Sequence, residues 1–121
     1  MTQEDKDLLL KDLSARLCYN VVCQVEFKGH GKYESESMLL SGIFKDEACF
    51  TSERGSVYSD EYKPYLFPIS SMTEDQKLKW SGIRWSKLPW EEIEWLHEGH
   101  WDYRGLIEKG LALNATGLNI Y

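Results

Sequence analysis

The sequence has few of the features that mark membrane, secreted or nucleic-acid-coating proteins. Its 121 residues include three cysteines, three prolines and 14 basic residues, against 20 acidic ones, for a net charge of −6. No apolar run approaches the roughly 20 residues that a membrane helix needs. Excess acid argues against general nucleic-acid binding, because lysine and arginine supply the phosphate contacts. We therefore expect one globular domain of ordinary composition that does not contact a membrane.

The cysteines are odd in number and lack paired spacing. Cys18, Cys23 and Cys49 contain no Cys-x-x-Cys motif, so they are expected to be free thiols, and the last two lie in strand-like runs where cysteine is usually a small buried hydrophobe. The start, Met1 to Asp5, is polar and acidic, the reverse of a secretion signal. Together these features predict a cytoplasmic protein without disulfides.

The first half of the chain changes from helical to strand periodicity near residue 20. Thr2 is placed to cap a helix whose leucines recur at helical spacing up to Leu17. Apolar and polar residues then alternate, which predicts strands at 21–27, 38–44, 48–51 and 56–59, with a polar hairpin connection over 28–36 and tight turns near 45–47 and 53–55. Short strands joined by tight loops favour a bent antiparallel sheet of four or five strands, or a small SH3-like barrel.

The predicted core lies between this helix and one face of the sheet. Period two in the strands and period 3.6 in the helix select its members. They are Val21, Cys23, Val25, Phe27, Leu40, Ile43 and Phe50 from the sheet, with Leu9, Leu13 and Leu17 from the helix.

Prolines and helix-capping residues mark the boundaries of the predicted elements in the second half of the chain. Pro64 and Pro68 bracket an apolar segment that is expected to leave the sheet as an irregular or 3₁₀ turn. Thr73 with Gln76 forms a capping-box pattern for a helix that fades near residue 82, and Pro89 can open another, up to about residue 99. Residues 102–110 are expected to form a last short helix and residues 111–113 a terminal strand. The fold class is therefore α+β, with a tryptophan-rich helical C-terminal third.

Three stretches carry a resemblance to a known family. Residues 1–17 (MTQEDKDLLLKDLSARL), 63–66 (KPYL) with 70–74 (SSMTE), and 101–112 (WDYRGLIEKGLA) resemble a family of small uncharacterised proteins encoded by gut Bacteroides genomes, prophages and other mobile elements. The resemblance implies a small cytosolic accessory protein of phage or mobile-element type. It brings no catalytic residues and no cofactor.

All five tryptophans fall within 22 residues, in a segment whose charge reverses midway. Basic residues occupy positions 77–87 and acidic ones positions 91–98. Trp85 with Lys79, Arg84 and Lys87 could form a ligand surface, since aromatic rings between cations suit single-stranded nucleic acid or a nucleotide. Alternatively, the indoles cover the core and the cations pair with the nearby acids. Trp95 and Trp101 are expected to be buried, and Trp85 to be the most exposed indole.

Metal binding and catalysis are weakly supported. His97, His100 and Asp102 form the one cluster of metal-ligand types, but the histidine spacing is not that of the zincin helix, and Gly99 falls between the two histidines. Asp102 is better explained as a helix cap. No nucleophile elbow or phosphate-binding loop is present. We therefore expect a non-enzymatic module without a cofactor that binds a macromolecule, in the first place a protein, with nucleic acid or a nucleotide as the alternative.

Overall fold

A computed structural model of the chain describes residues 2–29, 32–44, 47–85 and 89–121. The fold is α+β, as predicted: an N-terminal helix, a mixed sheet and two helices in the C-terminal third. The helices are α1 (Gln3–Ala15), α2 (Glu74–Trp85) and α3 (Pro89–Glu98). The strands are β1 (Val22–Gly29), β2 (Lys32–Phe44), β3 (Glu47–Ser52), β4 (Gly55–Ser59), β5 (Glu61–Pro68), β6 (Trp101–Asp102) and β7 (Leu113–Asn114).

The N-terminal helix forms where the sequence predicts it and ends earlier. The Thr2 hydroxyl accepts from the Asp5 amide, and the Asp5 carboxylate accepts from the Thr2 amide, which closes a capping box. Leu9 and Leu13 are buried as predicted. The prediction for Leu17 was wrong, because α1 ends at Ala15 and a 3₁₀ turn follows, so the helical phase is lost and Leu17 is 38% exposed.

The sheet has the order β4-β3-β2-β1-β5-β6, and β7 pairs with β5. Strands β1 to β4 form the expected antiparallel meander, and β5 pairs antiparallel with the other edge of β1. The two short strands pair parallel with β5. The sheet has seven strands in place of the four or five predicted and is not closed into a barrel, so the SH3-like barrel alternative was wrong.

The first hairpin is longer than predicted. Most of the polar segment 28–36 is strand, because β1 runs to Gly29 and β2 starts at Lys32, with these two residues in register. Ser35 and Ser37 lie on the exposed face, where Ser37 donates to Gln24 Oε1, whereas Glu34 and Glu36 are half-buried on the face that carries Met38. The turn at residues 53–54 is present as predicted. Residues 30–31 and 45–46, where two further turns were predicted, lie outside the described residues.

Strand β5 corrects the interpretation of the two prolines. The segment stays in the sheet: Pro64 is in register with Cys23 of β1, and Pro68 with Asp102 of β6. Between residues 61 and 64, β1 is the one neighbour paired with β5 in the described structure, so β5 is locally an edge strand. Proline is tolerated at an edge because its missing N–H removes no ladder bond on the open side.

The core under the sheet matches much of the prediction. Val21, Cys23, Val25, Leu40 and Phe50 are buried, whereas the predicted core residues Phe27 and Ile43 are half-buried at its margin. Cys49, expected to be buried, is half-buried. The C-terminal segment completes this core with three further residues, Leu106, Leu111 and Ala112.

The tryptophan-rich third forms a second apolar cluster beside β5. Thr73 and Gln76 exchange hydrogen bonds as a capping box, as predicted. Helix α2 continues past residue 82 to Trp85, and α3 begins at Pro89 as expected.

Among the described residues, none of the helices combines the length and apolar character needed to span a bilayer.

The end of the chain is built from turns. The Asp102 carboxylate accepts from the amides of Leu106 and Ile107, but the prediction that it caps a helix was wrong, because residues 106–110 form turns. The expected terminal strand is the two-residue β7.

Candidate functional site

The hairpin of α2 and α3 exposes large apolar side chains. Trp85 is 83% exposed and is the most exposed of the tryptophans, as predicted, and Trp90 is 60% exposed. Leu78 lies seven residues before Trp85, and Ile93 three residues after Trp90, so each pair lies on one side of its helix. We call these four residues, Leu78, Trp85, Trp90 and Ile93, the hairpin apolar set.

The cations of α2 do not gather around Trp85. The Arg84 guanidinium lies 5.2 Å from the centre of the Trp80 ring, and its Nε is 3.6 Å from Glu92 Oε1. Trp80 Nε1 donates to the same carboxylate oxygen at 3.0 Å. The contacts of Glu92 with Arg84 and Trp80 join α2 to α3. The ion pair agrees with the alternative interpretation, in which the cations of α2 pair with the nearby acids.

The predicted ligand residues are therefore divided. Arg84 and Trp85 line one shallow depression together with Ser81. Lys79 lines a different groove, on the side of α2 that faces β5. Lys87 lies outside the described residues. The structure brings two of the four side chains together.

The weak metal candidates each have a protein partner. His97 Nε2 is 2.7 Å from the Tyr103 hydroxyl, the His100 ring stacks on Tyr121 with centroids 3.6 Å apart, and both oxygens of Asp102 accept backbone hydrogen bonds. Burial lowers the pKa of both histidines, and that of His100 to about 4. In the described part of the chain, no three His, Cys, Asp or Glu side chains are grouped to hold a metal ion.

A groove of about 540 Å³ lies between α2, α3, the end of β5 and the loop at residues 116–117. Its aromatic side is formed by Trp101, which is 5% exposed as predicted, and by Trp95, which is half-buried where burial was expected. Their rings lie 6.2 Å apart at an angle of 16°, and Phe67 packs on Trp101 at 5.7 Å. A Cβ on Gly99 would come within 2.3 Å of Trp101 Nε1, so this arrangement requires glycine at position 99.

The opposite side of the groove is polar. Gln76 accepts from Thr73 through Oε1, which leaves its amide N–H groups to other partners. Lys79 and Glu98 bring one charge of each sign, and neither forms an ion pair with another residue that the structure describes. No pattern in the sequence indicates this groove, because its residues lie on α2, α3, the end of β5 and the loop at residues 116–117.

A buried charge network lies between α1 and the C-terminal segment. Asp12 and Arg16 are both fully buried and joined at 2.8 Å, and Arg104 Nε donates to the other Asp12 oxygen at 3.0 Å. Arg16 also donates to the Trp101 carbonyl oxygen. Both guanidinium groups lie about 5 Å from the Tyr103 ring centre. Each of these side chains has a protein partner, although Arg16 Nη1 itself is buried without one, and the network ties α1 to the C-terminal segment.

Comparisons of the chain with protein-family models, with curated proteins and with solved structures found no match. The hairpin and the groove are therefore the features of the molecule that indicate a function.

Proposed function

We propose that this protein is a non-enzymatic binding module that docks onto another protein through the hairpin apolar set. The observation that carries the proposal is the exposure of Trp85, at 83%, with the exposed Leu78 about two turns earlier on the same side of α2. An indole removes on the order of 200 Å² from water when it packs. Large apolar side chains that stay grouped in solvent mark interaction surfaces, and tryptophan is enriched among the residues that dominate binding energy.

Charges around the hairpin apolar set support a protein as the partner. Helix α2 carries Lys77 and Lys79, and α3 carries Glu94 and Glu98. Exposed cations on one helix and exposed anions on the next favour a partner with the complementary arrangement, and such charges fix orientation more than affinity.

The cellular setting belongs to the same proposal. Three stretches resemble proteins of phages and mobile elements, which supports a small accessory protein acting in the cytoplasm. An inhibitor of a host defence system is one concrete form of such a module. The exposed thiol of Cys18 suits a reducing compartment.

Binding of nucleic acid or a nucleotide through residues 77–87 is the second candidate. Trp85 offers a stacking surface, which favours it. Against it, Arg84 is engaged by Glu92, and the net charge of −6 repels phosphate.

Site-specific photo-cross-linking tests the proposal. A benzoylphenylalanine placed at position 85 of the full chain, irradiated in cytosol of the native host, should give a discrete heavier adduct containing one protein. The same probe at Tyr58, which is 60% exposed on β4, is the matched control and should give no such adduct. The added substitution Leu78→Asp should suppress the adduct at position 85.

Two results would overturn the proposal. One is equal cross-linking from positions 58 and 85. The other is retention of the chain on single-stranded DNA that falls steeply with salt and requires Trp85, which would favour the second candidate.

A further inference from the structure

The groove between α2, α3 and β5 presents a flat aromatic wall to solvent. Trp95 and Trp101 lie nearly parallel, and Phe67 and the bare backbone of Gly99 hold Trp101 in place. Trp95 is half-buried, so part of its ring is open to the groove. A flat ring surface of this kind packs against a flat apolar face of a ligand.

The same wall carries hydrogen-bond donors that lack acceptors. The indole N–H groups of Trp95 and Trp101 donate to no residue that the structure describes. Trp101 as a whole is 5% exposed, and its indole nitrogen lies against Gly99 at the groove. Across the groove, the Gln76 amide and the Lys79 ammonium add further donors. A matching ligand therefore carries several oxygen acceptors.

Charge in the groove favours a neutral ligand. Lys79 and Glu98 contribute one positive and one negative group, so their fields oppose each other at the groove. A phosphate would gain from Lys79 but would be repelled by Glu98, and a cationic ligand would meet the reverse. A neutral ligand with hydroxyl groups can instead accept from Lys79 and donate to Glu98.

We propose that this groove binds a neutral carbohydrate, with one pyranose ring lying against Trp95 and its hydroxyl groups meeting Gln76, Lys79 and Glu98. A pyranose combines an apolar C–H face with a rim of hydroxyls, which matches an aromatic wall opposite polar groups. The volume of about 540 Å³ falls within the range of small-ligand sites, and the open ends leave room for a chain of sugars. The aromatic side chains of this site differ from the hairpin apolar set, so the indole signals of Trp95 and Trp101 report on it separately from protein docking.

Nuclear magnetic resonance of the indole N–H groups tests the site directly. The full ¹⁵N-labelled chain is titrated with maltohexaose, cellohexaose and chitohexaose, and with adenosine monophosphate as the comparison probe. At least one oligosaccharide should shift the Trp95 and Trp101 indole signals saturably, while those of Trp85 and Trp90 stay unchanged. Lys79→Met and Glu98→Met should each weaken that binding by about fivefold, the loss of one hydrogen bond. Lys77→Met, whose lysine pairs with Glu74 outside the groove, is the matched control and should bind as the parent does.

Three outcomes would overturn the proposal. They are no saturable shift with any of the three oligosaccharides, tighter binding of adenosine monophosphate than of every oligosaccharide, and shifts confined to Trp85 and Trp90.

Discussion

Asp12 is the residue on which the charge network depends. Its carboxylate is fully buried and accepts from two arginines, Arg16 directly after its own helix and Arg104 in the C-terminal segment. A buried ion pair gives little net stability compared with apolar packing, but removing one partner leaves an uncompensated charge without water. The loss of Asp12 would therefore cost more free energy than the ion pair contributes to stability.

We expect Asp12→Asn to destabilise the fold by about 3–5 kcal/mol, because Arg16 stays buried without its counter-charge. Denaturant unfolding at neutral pH measures this. Asp7→Asn, on the exposed face of the same helix, is the control and should change stability by less than about 0.5 kcal/mol. Equal effects at the two positions would contradict the role of the network.

His100 links stability to pH. Burial, with a smaller contribution from Arg16, lowers its pKa from 6.5 to about 4. Above pH 6.5 the imidazole is neutral in both the folded and the unfolded chain. As pH falls from 6.5 towards 4, His100 binds a proton in the unfolded chain but not in the folded chain, so the free energy of unfolding decreases across this window.

The shift corresponds to about 2–3 kcal/mol lost between pH 7 and pH 4. In His100→Gln this part of the pH dependence should disappear, while the part from His97 remains. Urea melts of both chains at pH 7, 5.5 and 4 measure the difference in slope. Parallel stability profiles for the two chains would refute the assignment.

At the scale of elements, α1 shows how a helix end decides which residues are core. Leu13 is fully buried, whereas Leu17, one helical turn later in sequence, follows the end of the helix and is 38% exposed. Leu13→Ala should therefore cost about 2–5 kcal/mol and Leu17→Ala less than about 1 kcal/mol. Thermal and denaturant melts of the pair check this, and a larger loss at Leu17 would show that α1 extends further than Ala15.

Local patterns in the sequence predicted the elements better than the way they join. The capping boxes at Thr2 and Thr73 and the alternation in β1 involve neighbours within a few residues, so sequence alone shows them. The two prolines of β5 were misinterpreted. The free-energy cost of a proline in a strand depends on which side of the strand has a neighbour, and that is a property of the assembled sheet.

The sites depend even more on long-range contacts. The exposure of Trp85 could be predicted from its polar and charged neighbours in the sequence. The groove could not be predicted, because Phe67, Trp95 and Thr116 are brought together from distant segments. The pairing of Asp12 with Arg104 spans 92 residues, and no local pattern marks it.

At the scale of the molecule, Tyr121 fastens the last residues across the sheet. Its hydroxyl accepts from the Val22 amide at 2.9 Å and donates to the Tyr65 carbonyl oxygen at 2.7 Å, so it joins β1 to β5. Its ring stacks on His100, and burial raises the pKa of its hydroxyl. The side chain therefore acts as a bridge between three segments.

Tyr121→Phe keeps the ring and removes the hydroxyl. We expect a loss of about 1–3 kcal/mol, because the Val22 amide and the Tyr65 carbonyl lose a shared partner. Denaturant melts measure the loss, and hydrogen exchange at the Val22 amide should speed up more than at Val25 in the middle of β1. Unchanged exchange at Val22 would show that water replaces the hydroxyl.

The ion pair between Asp12 and Arg104 also determines when folding can be completed during synthesis of the chain. A ribosome adds about 5–20 residues per second, so α1 leaves it several seconds before Arg104 exists. During that interval Leu9 and Leu13 lack the cover of Leu106 and Leu111, which complete their core. The apolar face of α1 therefore stays uncovered until residues 104–112 have been made, and the native core closes only after that point.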